Sequence, residues 1–405
     1  MNKTTTLDEL IHRIRLANLN RDPDGLRRKY AAMAQNAFRF FRATPSLFYQ
    51  DWCGPKATLA QPVSWLCADL HLENFGSYRA ANKLVYFDIN DFDEALLAPI
   101  SLDIARLITS LAVVAPTLKY SPPTVRTLAQ RLMTTYVQTL RRGKPQSVER
   151  GTARGVLQHF LHQVAQRSRK ILLAEHTRGS GKHRQLRRDQ AGQSGLSAQD
   201  RAGLLAWLTP ILGQFADCQL VDVAHRVAGT SSLGLPRYVL LVKNGEGKWR
   251  LLDLKAARPS AAAPWVGVTQ PDWPDQATRV VRLQERLQDV APARLTALPG
   301  PAGQSFVLRT LQPQADRVDL LAHSLQSANQ LGELLETMAQ LTASAHLRSS
   351  GHQGSATADA LMAFAEQPDW GNDLIEEAIR YAGQVQLDFV HVNAARKAGA
   401  FNLTT

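Results

Sequence analysis

The chain has 405 residues, of which 44% are hydrophobic and 20% are charged. At roughly 150 residues per domain this length allows two or three domains, and the composition excludes a largely disordered chain. The 47 Lys and Arg residues exceed the 35 Asp and Glu residues by 12, so the protein is expected to attract polyanions such as nucleotides, nucleic acid or acidic surfaces.

Several classes of protein are excluded by what the sequence does not contain. No apolar stretch reaches the roughly 18 residues that a membrane span requires, and the first residues lack the apolar core of a secretory signal, so a cytoplasmic protein is expected. Cys53, Cys67 and Cys218 are far apart and odd in number. This spacing predicts free thiols and neither a disulfide framework nor a zinc site.

Residues 1–200 are predicted to form a mainly helical region that contains two short strands. Helical spacing of apolar residues occupies 7–16, 30–41, 102–140 with a break at Pro122, and 156–173. Apolar runs of strand type lie at 65–67 and 84–87, and the stretch between them, with Gly76 and Asn82, is interpreted as a turn.

The remainder of the chain divides into a small β-rich region, 201–315, and a helical segment, 316–405, that packs back on the first region. Helices are predicted at 204–215, 278–287, 318–347 and 373–390. Strands are predicted at 220–227, 237–242, 249–254 and 305–311, which form a small antiparallel sheet. The stretch 259–274, rich in Ala and Pro, is predicted to be irregular.

Much of the basic excess lies in the segment 167–188, which has eight Lys and Arg residues and one acid, Glu175. The segment contains no Phe, Tyr or Trp, so it offers phosphate contacts but no platform for stacking bases. A solvated loop is the favoured interpretation, and a surface that faces phosphate is the alternative.

Acidic and amide side chains follow two predicted strands at a spacing that suits phosphoryl transfer. Asp69 leaves the first strand, Asn74 comes five residues later, and Asp88 ends the second strand. Asn74 and Asp88 are predicted to hold Mg²⁺ or Mn²⁺ through oxygen atoms, while Asp69 orients a hydroxyl group. Asp91 is the next candidate ligand, with Asp93 after it; all three acids could instead form a solvated turn.

These residues resemble a known superfamily. Asp69-x4-Asn74 followed by Asp88 looks like the catalytic loop and metal aspartate of protein-kinase-like phosphotransferases, and more closely like the "HGDLHxxN … IDW" pattern of aminoglycoside and choline kinases. With "LDIARL", "FRFFRA", "YFDINDFDEA" and "AHLRSSG", most of the chain is similar to the uncharacterised bacterial domain of unknown function 2252 family. The resemblance implies ATP and Mg²⁺ as cofactors, and a bracing role for Asp103 at the catalytic loop.

The resemblance also implies a nucleotide-binding lobe, which lies after the catalytic loop here. The turn between two predicted strands contains Gly229, Ser231, Ser232 and Gly234, and the next strand carries Lys255. Backbone N–H groups of such a turn and the lysine can bind phosphates. Glu285 is the candidate partner of Lys255. The predicted fold is therefore α+β and protein-kinase-like, circularly permuted, with a small antiparallel nucleotide-binding sheet and a larger helical lobe.

The predicted activity is transfer of a phosphoryl group from ATP to an acceptor, a small molecule rather than a protein, because Ala68 replaces the arginine that reads activation-loop phosphorylation. His71 is interpreted as structural, and His346 and Arg348 as surface residues at a helix end. One alternative is a metal-dependent phosphohydrolase with Asp69, His71, Asp88 and Asp91 as ligands. Others are a non-catalytic module that binds nucleic acid through 167–188, a nucleotide sensor, and a nucleotidyl transferase.

Overall fold

The computed structural model describes residues 6–53, 61–190, 192–216, 218–313 and 327–402. It is a mixed structure, 50% helical and 17% strand, which confirms the α+β class. The described helices are α1 Leu7–Leu16, α2 Pro23–Met33, α3 Ala37–Ala43, α4 Pro45–Trp52, α5 Ser101–Val114, α6 Pro122–Arg142, α7 Gly155–Gln166, α8 Arg169–His176, α9 Ala198–Ala216, α10 Gln276–Leu287, α11 Ala328–Arg348, α12 Ala358–Ala365 and α13 Trp370–Lys397.

The strands form one large antiparallel sheet and three small ones. The described strands are β1 Val63–Leu66, β2 Phe75–Arg79, β3 Val85–Ile89, β4 Leu96–Pro99, β5 Val148–Glu149, β6 Thr177–Arg178, β7 Gln185–Leu186, β8 Asp189–Gln190, β9 Gln193–Ser194, β10 Cys218–Arg226, β11 Arg237–Asn244, β12 Trp249–Ala256, β13 Thr296–Pro299 and β14 Ser305–Thr310. The large sheet has the order β13-β14-β12-β11-β10-β9-β8, and the others are β1-β4, β2-β3-β5 and β6-β7.

Helix boundaries follow local signals in the sequence. The Ser121 hydroxyl accepts a hydrogen bond from the Thr124 N–H, Pro122 occupies the first turn of α6, and Gly143 ends that helix at a φ of 61°. The predicted helix over 30–41 is two helices, because the Asn36 side chain caps the start of α3. The stretch predicted as a turn around Gly76 is strand β2, which pairs with β3.

Buried apolar residues form one large helical core and pack on both faces of the large sheet. One core joins the N-terminal helices, α5–α7 and α11–α13. The large sheet buries one face against α9, where Leu252 and Leu254 meet Leu208. Its other face places Leu251 against Leu186. Since side chains alternate along a strand, Asp253 and Lys255 of β12 share the face of Leu251.

Several predictions about the last third of the chain can be compared with the structure. Of the helix predicted over 318–347, the part 318–326 lies outside the described residues, and α11 begins at Ala328. The stretch 259–274 has neither helix nor strand, as predicted. Among the helices of the described ranges, none combines the length and apolar character needed to cross a bilayer.

Candidate functional site

The loop between β1 and β2 carries the predicted catalytic residue and is held by hydrogen bonds from three directions. Ala68 and Asp69 have φ angles of 48° and 44°, a left-handed conformation that costs non-glycine residues energy unless contacts fix it. The Asp69 N–H donates to the Tyr49 hydroxyl at 2.7 Å, and the Asn74 amide donates to the Asp69 carbonyl at 2.7 Å. Asp103 accepts from the Cys67 N–H at 3.0 Å, which confirms its bracing role.

The Asp69 carboxylate lies against a fully buried arginine of α5. Arg106 donates to it through Nε at 2.9 Å and also through Nη2. The guanidinium carbon is 4.1 Å from the centre of the Phe41 ring, a cation–π distance. Burial raises the pKa of Asp69 to about 7 although Arg106 lowers it, and the negative charges of Glu94 and Asp91 raise it further.

Asp88 and Asp91, the two predicted acidic metal ligands, have different surroundings. The Asp88 side chain accepts from the Ile89 N–H at 2.8 Å and is 3.9 Å from Arg348. Burial raises its pKa to about 6, and Arg348 and Asp289 are the charges that act on it most strongly. Asp91 follows the end of β3, and its charge acts on Asp69. The Asn90 N–H donates to the Asn74 carbonyl at 2.9 Å, which attaches the residue before Asp91 to the loop of Asp69, whereas the Asp88 side chain faces Arg348.

The donor atoms near Asp69 suit a magnesium ion bound together with phosphate. Within the described ranges, no three His, Cys, Asp or Glu side chains converge as a metal-binding group. Mg²⁺ usually takes one or two carboxylates and completes its shell with water and substrate phosphates. Asn74 and Asp91 provide an oxygen set of that kind.

Lys255 contacts the segment that follows β3 through a partner that the sequence did not predict. Its ammonium group is bonded to Asp93, two residues after Asp91. Arg279 of α10 donates to the Asp93 carbonyl at 2.8 Å. Glu285, the predicted partner of Lys255, instead pairs with Arg282 at 3.1 Å near the surface of α10. The sheet and α10 are therefore both attached to the segment that follows β3.

The predicted glycine turn joins β10 to β11, as expected, but it is covered by the N-terminal helices. Gly229 and Gly234 have φ angles of 81° and 83°, which glycine adopts without strain. The Ser232 hydroxyl donates to the Ala228 carbonyl at 3.1 Å. Lys29 of α2 donates to the carbonyl of Ser231 at 3.2 Å.

Backbone contact between Gly25 and Gly234 leads to a stability prediction. A Cβ atom on Gly25 would lie 2.3 Å from the Cα of Gly234, so Gly25→Ala must separate α2 from the turn. We expect a loss of about 1–3 kcal/mol in the free energy of unfolding, typical of overpacking, measured by urea denaturation. Gly203→Ala is the control, since it lies within α9 and its Cβ would meet nothing within 4 Å; an equally stable Gly25→Ala protein would contradict the prediction.

A buried ionic cluster beside Lys255 was not predicted. Asp253 pairs with Arg237 at 2.6 Å and with Arg226 at 2.7 Å, and Arg309 lies 3.7 Å away. Burial opposes ionisation of Asp253, but Arg237 and Arg226 hold its pKa well below the usual range.

The basic segment 167–188 forms α8 and short strands rather than a solvated loop, and Arg188 pairs with Asp222 at 2.8 Å.

Two residues that were predicted at the surface are not exposed. His346 and Arg348 were predicted at the surface, but His346 is buried within 3.3 Å of Asp103, and Arg348 donates to the Gln146 carbonyl at 2.6 Å. His71 accepts a hydrogen bond from Arg42 at 3.1 Å, which is the structural contact predicted for it.

Arg106 was not identified from the sequence, although an arginine inside the apolar run of α5 indicates a buried charge that needs a partner.

The sequence matches one family, described as an uncharacterised protein conserved in bacteria (DUF2252), over residues 21–395. No curated protein and no solved structure matches the chain. The match spans α2–α4, the loop of Asp69, the large sheet, α11, α12 and most of α13, so it includes the elements that carry the residues described above. The chain therefore belongs to the DUF2252 family.

Proposed function

We propose that this protein is a phosphotransferase that binds ATP and Mg²⁺ and transfers the γ-phosphoryl group to a hydroxyl group of a small molecule. The observation that carries the proposal is the contact between Lys255 and Asp93. It joins β12 to the segment that contains Asp91, an attachment that would set the phosphate-binding groups of the sheet opposite the oxygen ligands near Asp69.

The chain order supports a kinase-like fold with permuted lobes. After α11, the Ala356 N–H donates to the Val63 carbonyl at 2.8 Å, and the Ser349 hydroxyl lies 3.5 Å from the Trp65 carbonyl. The segment that follows the sheet in sequence therefore returns to β1, the strand that leads to Asp69. This return supports a kinase-like order of sheet, helix and catalytic loop in which the loop comes first in the chain.

Each residue has a role that its environment supports. Asp69 accepts the proton of the acceptor hydroxyl, whose oxygen attacks the γ-phosphorus while the bond to the bridging oxygen of ADP breaks. A pKa of about 7 suits a base that works near neutral pH. Asn74 and Asp91 would hold Mg²⁺, which neutralises charge on the phosphates. Arg106 fixes the orientation of Asp69.

Calorimetry of ATP binding, with and without Mg²⁺, tests the proposal. We expect Asp91→Ala to abolish the part of the affinity that depends on Mg²⁺, because it removes a metal ligand. Lys255→Ala is expected to weaken ATP binding about tenfold or more, the effect of a lost charge-assisted contact.

Two controls separate these effects from general damage. Lys248→Ala removes an exposed lysine that pairs with Glu246 in the same sheet and should leave ATP binding unchanged. Asp88→Ala removes the acid that faces Arg348 and should preserve the dependence on Mg²⁺. Failure of the wild-type protein to bind ATP in either condition would refute the proposal.

A further inference from the structure

Cationic side chains of the N-terminal helices reach the glycine turn at several adjacent positions. Arg21 donates to the Leu233 carbonyl at 2.6 Å, Lys29 donates to the Ser231 carbonyl at 3.2 Å, and Arg39 lies 3.5 Å from the Thr230 hydroxyl. These helices precede the loop of Asp69 in the chain and cover the turn in space. A group bound beneath the turn would therefore meet positive charge from α2 as well as from the sheet.

Lys29 differs from the other two because it is buried. Its side chain is 3% exposed, and among the described residues its hydrogen-bond acceptor is a neutral carbonyl and not a carboxylate. The charges of Glu94 and Asp69 act on it, opposed by Arg21 and Arg258. An ammonium group offers three donors, and burial of its charge beside neutral acceptors is costly.

Lys29 and Lys255 bind different parts of the site. Lys255 is bonded to the Asp93 carboxylate, whereas Lys29 is bonded to the turn and is acted on by Asp69. A phosphoryl group that leaves a nucleotide held by the turn and moves to an acceptor oriented by Asp69 must pass between these two elements. Lys29 contacts the first of these elements, because its ammonium group lies 3.2 Å from the Ser231 carbonyl, and it is buried there.

We propose that Lys29 is a phosphate-binding residue, whose ammonium group contacts the oxygens of the phosphoryl group next to Asp69. This inference rests on the proposed function, because it assigns the glycine turn and Asp69 to one phosphate site. The N-terminal helices then contribute directly to the site. The phosphate oxygens take the place of the Ser231 carbonyl as partner of Lys29, and the compact charge of lysine suits a contact that changes partners during transfer.

The test uses the full chain with Lys29→Met, Lys29→Arg and, as a matched control, Arg27→Met, which removes an exposed cation from the same helix. Calorimetry measures binding of inorganic tripolyphosphate, adenosine and ATP with Mg²⁺. We expect Lys29→Met to weaken tripolyphosphate and ATP binding about ten- to a hundredfold. Adenosine binding should not change, Lys29→Arg should recover part of the loss, and Arg27→Met should match wild type.

The outcomes distinguish this inference from the proposed function. Wild-type affinity of Lys29→Met for both tripolyphosphate and ATP would overturn the role of Lys29 while leaving the phosphotransferase proposal intact. Tripolyphosphate binding that depends on Lys29, without any binding of ATP, would support the anion site and overturn the nucleotide proposal. If Lys29→Met does not fold, wild-type affinity in both Lys29→Arg and a second variant, Lys29→Gln, would overturn the inference.

Discussion

Asp69→Asn is expected to lower phosphoryl transfer by about 10²- to 10⁴-fold, the range that a positioned general base contributes. The asparagine side chain keeps the shape of Asp69 but accepts no proton from the acceptor hydroxyl. Consumption of ATP with Mg²⁺ provides the rate, and calorimetry on the same variant should give ATP affinity close to that of wild type.

The control for this substitution is Asp51→Asn, which changes a partly exposed carboxylate that pairs with Arg13 and lies outside the loop of Asp69. It should retain full turnover. Unchanged turnover in Asp69→Asn would exclude Asp69 as the base, whereas a loss of both ATP binding and folded structure would assign it a structural role.

Arg106→Leu is expected to have the largest effect on stability. The arginine is fully buried and paired with the buried Asp69, so its removal leaves an uncompensated carboxylate in the interior. Breaking such a pair typically costs about 3–5 kcal/mol, measured here as the free energy of unfolding in urea at neutral pH. Because Arg106 lowers the pKa of Asp69, its loss should raise that pKa and move the acid limb of any turnover profile to higher pH.

Two further variants test the physical cause of this loss. Arg131→Leu removes a partly exposed arginine that pairs with Glu336 at 2.8 Å and should cost no more than about 1 kcal/mol. The double variant Arg106→Leu, Asp69→Asn should recover part of the stability, since the second change removes the unpaired charge. Equal losses in Arg106→Leu and Arg131→Leu would show that burial of the pair does not matter.

The sequence predicted the local parts of this site better than their partners. Asp69 and Asn74 belong to one loop, so their spacing was informative, and the Asp103 brace was implied by the family resemblance. Asp88 lies on β3 and Asp91 follows its end, and their spacing does not say which side chain turns toward Asp69. Alternation defines two faces of a strand but does not say which face meets a given loop, and the structure turns Asp88 toward Arg348.

Contacts across long stretches of chain could not be predicted from pattern. Lys255 and Asp93 are 162 residues apart, and Lys29 and Ser231 are 202 apart. A lysine on a strand with apolar neighbours needs a charged partner. The sequence contains many acids and does not indicate which of them is that partner. The helices and the large sheet were predictable because their signals, caps and alternation of apolar residues, are local.

The position of the N-terminal helices has a consequence for synthesis of the chain. Asp22 donates to the Gly234 carbonyl, the Tyr30 and Phe401 rings are 4.7 Å apart, and Phe40 contacts Phe389. At about 5–20 residues per second, roughly 20 to 75 s separate translation of Tyr30 from that of Phe401. The N-terminal helices therefore leave the ribosome well before the segments that complete their native contacts, and they must remain unaggregated in the meantime.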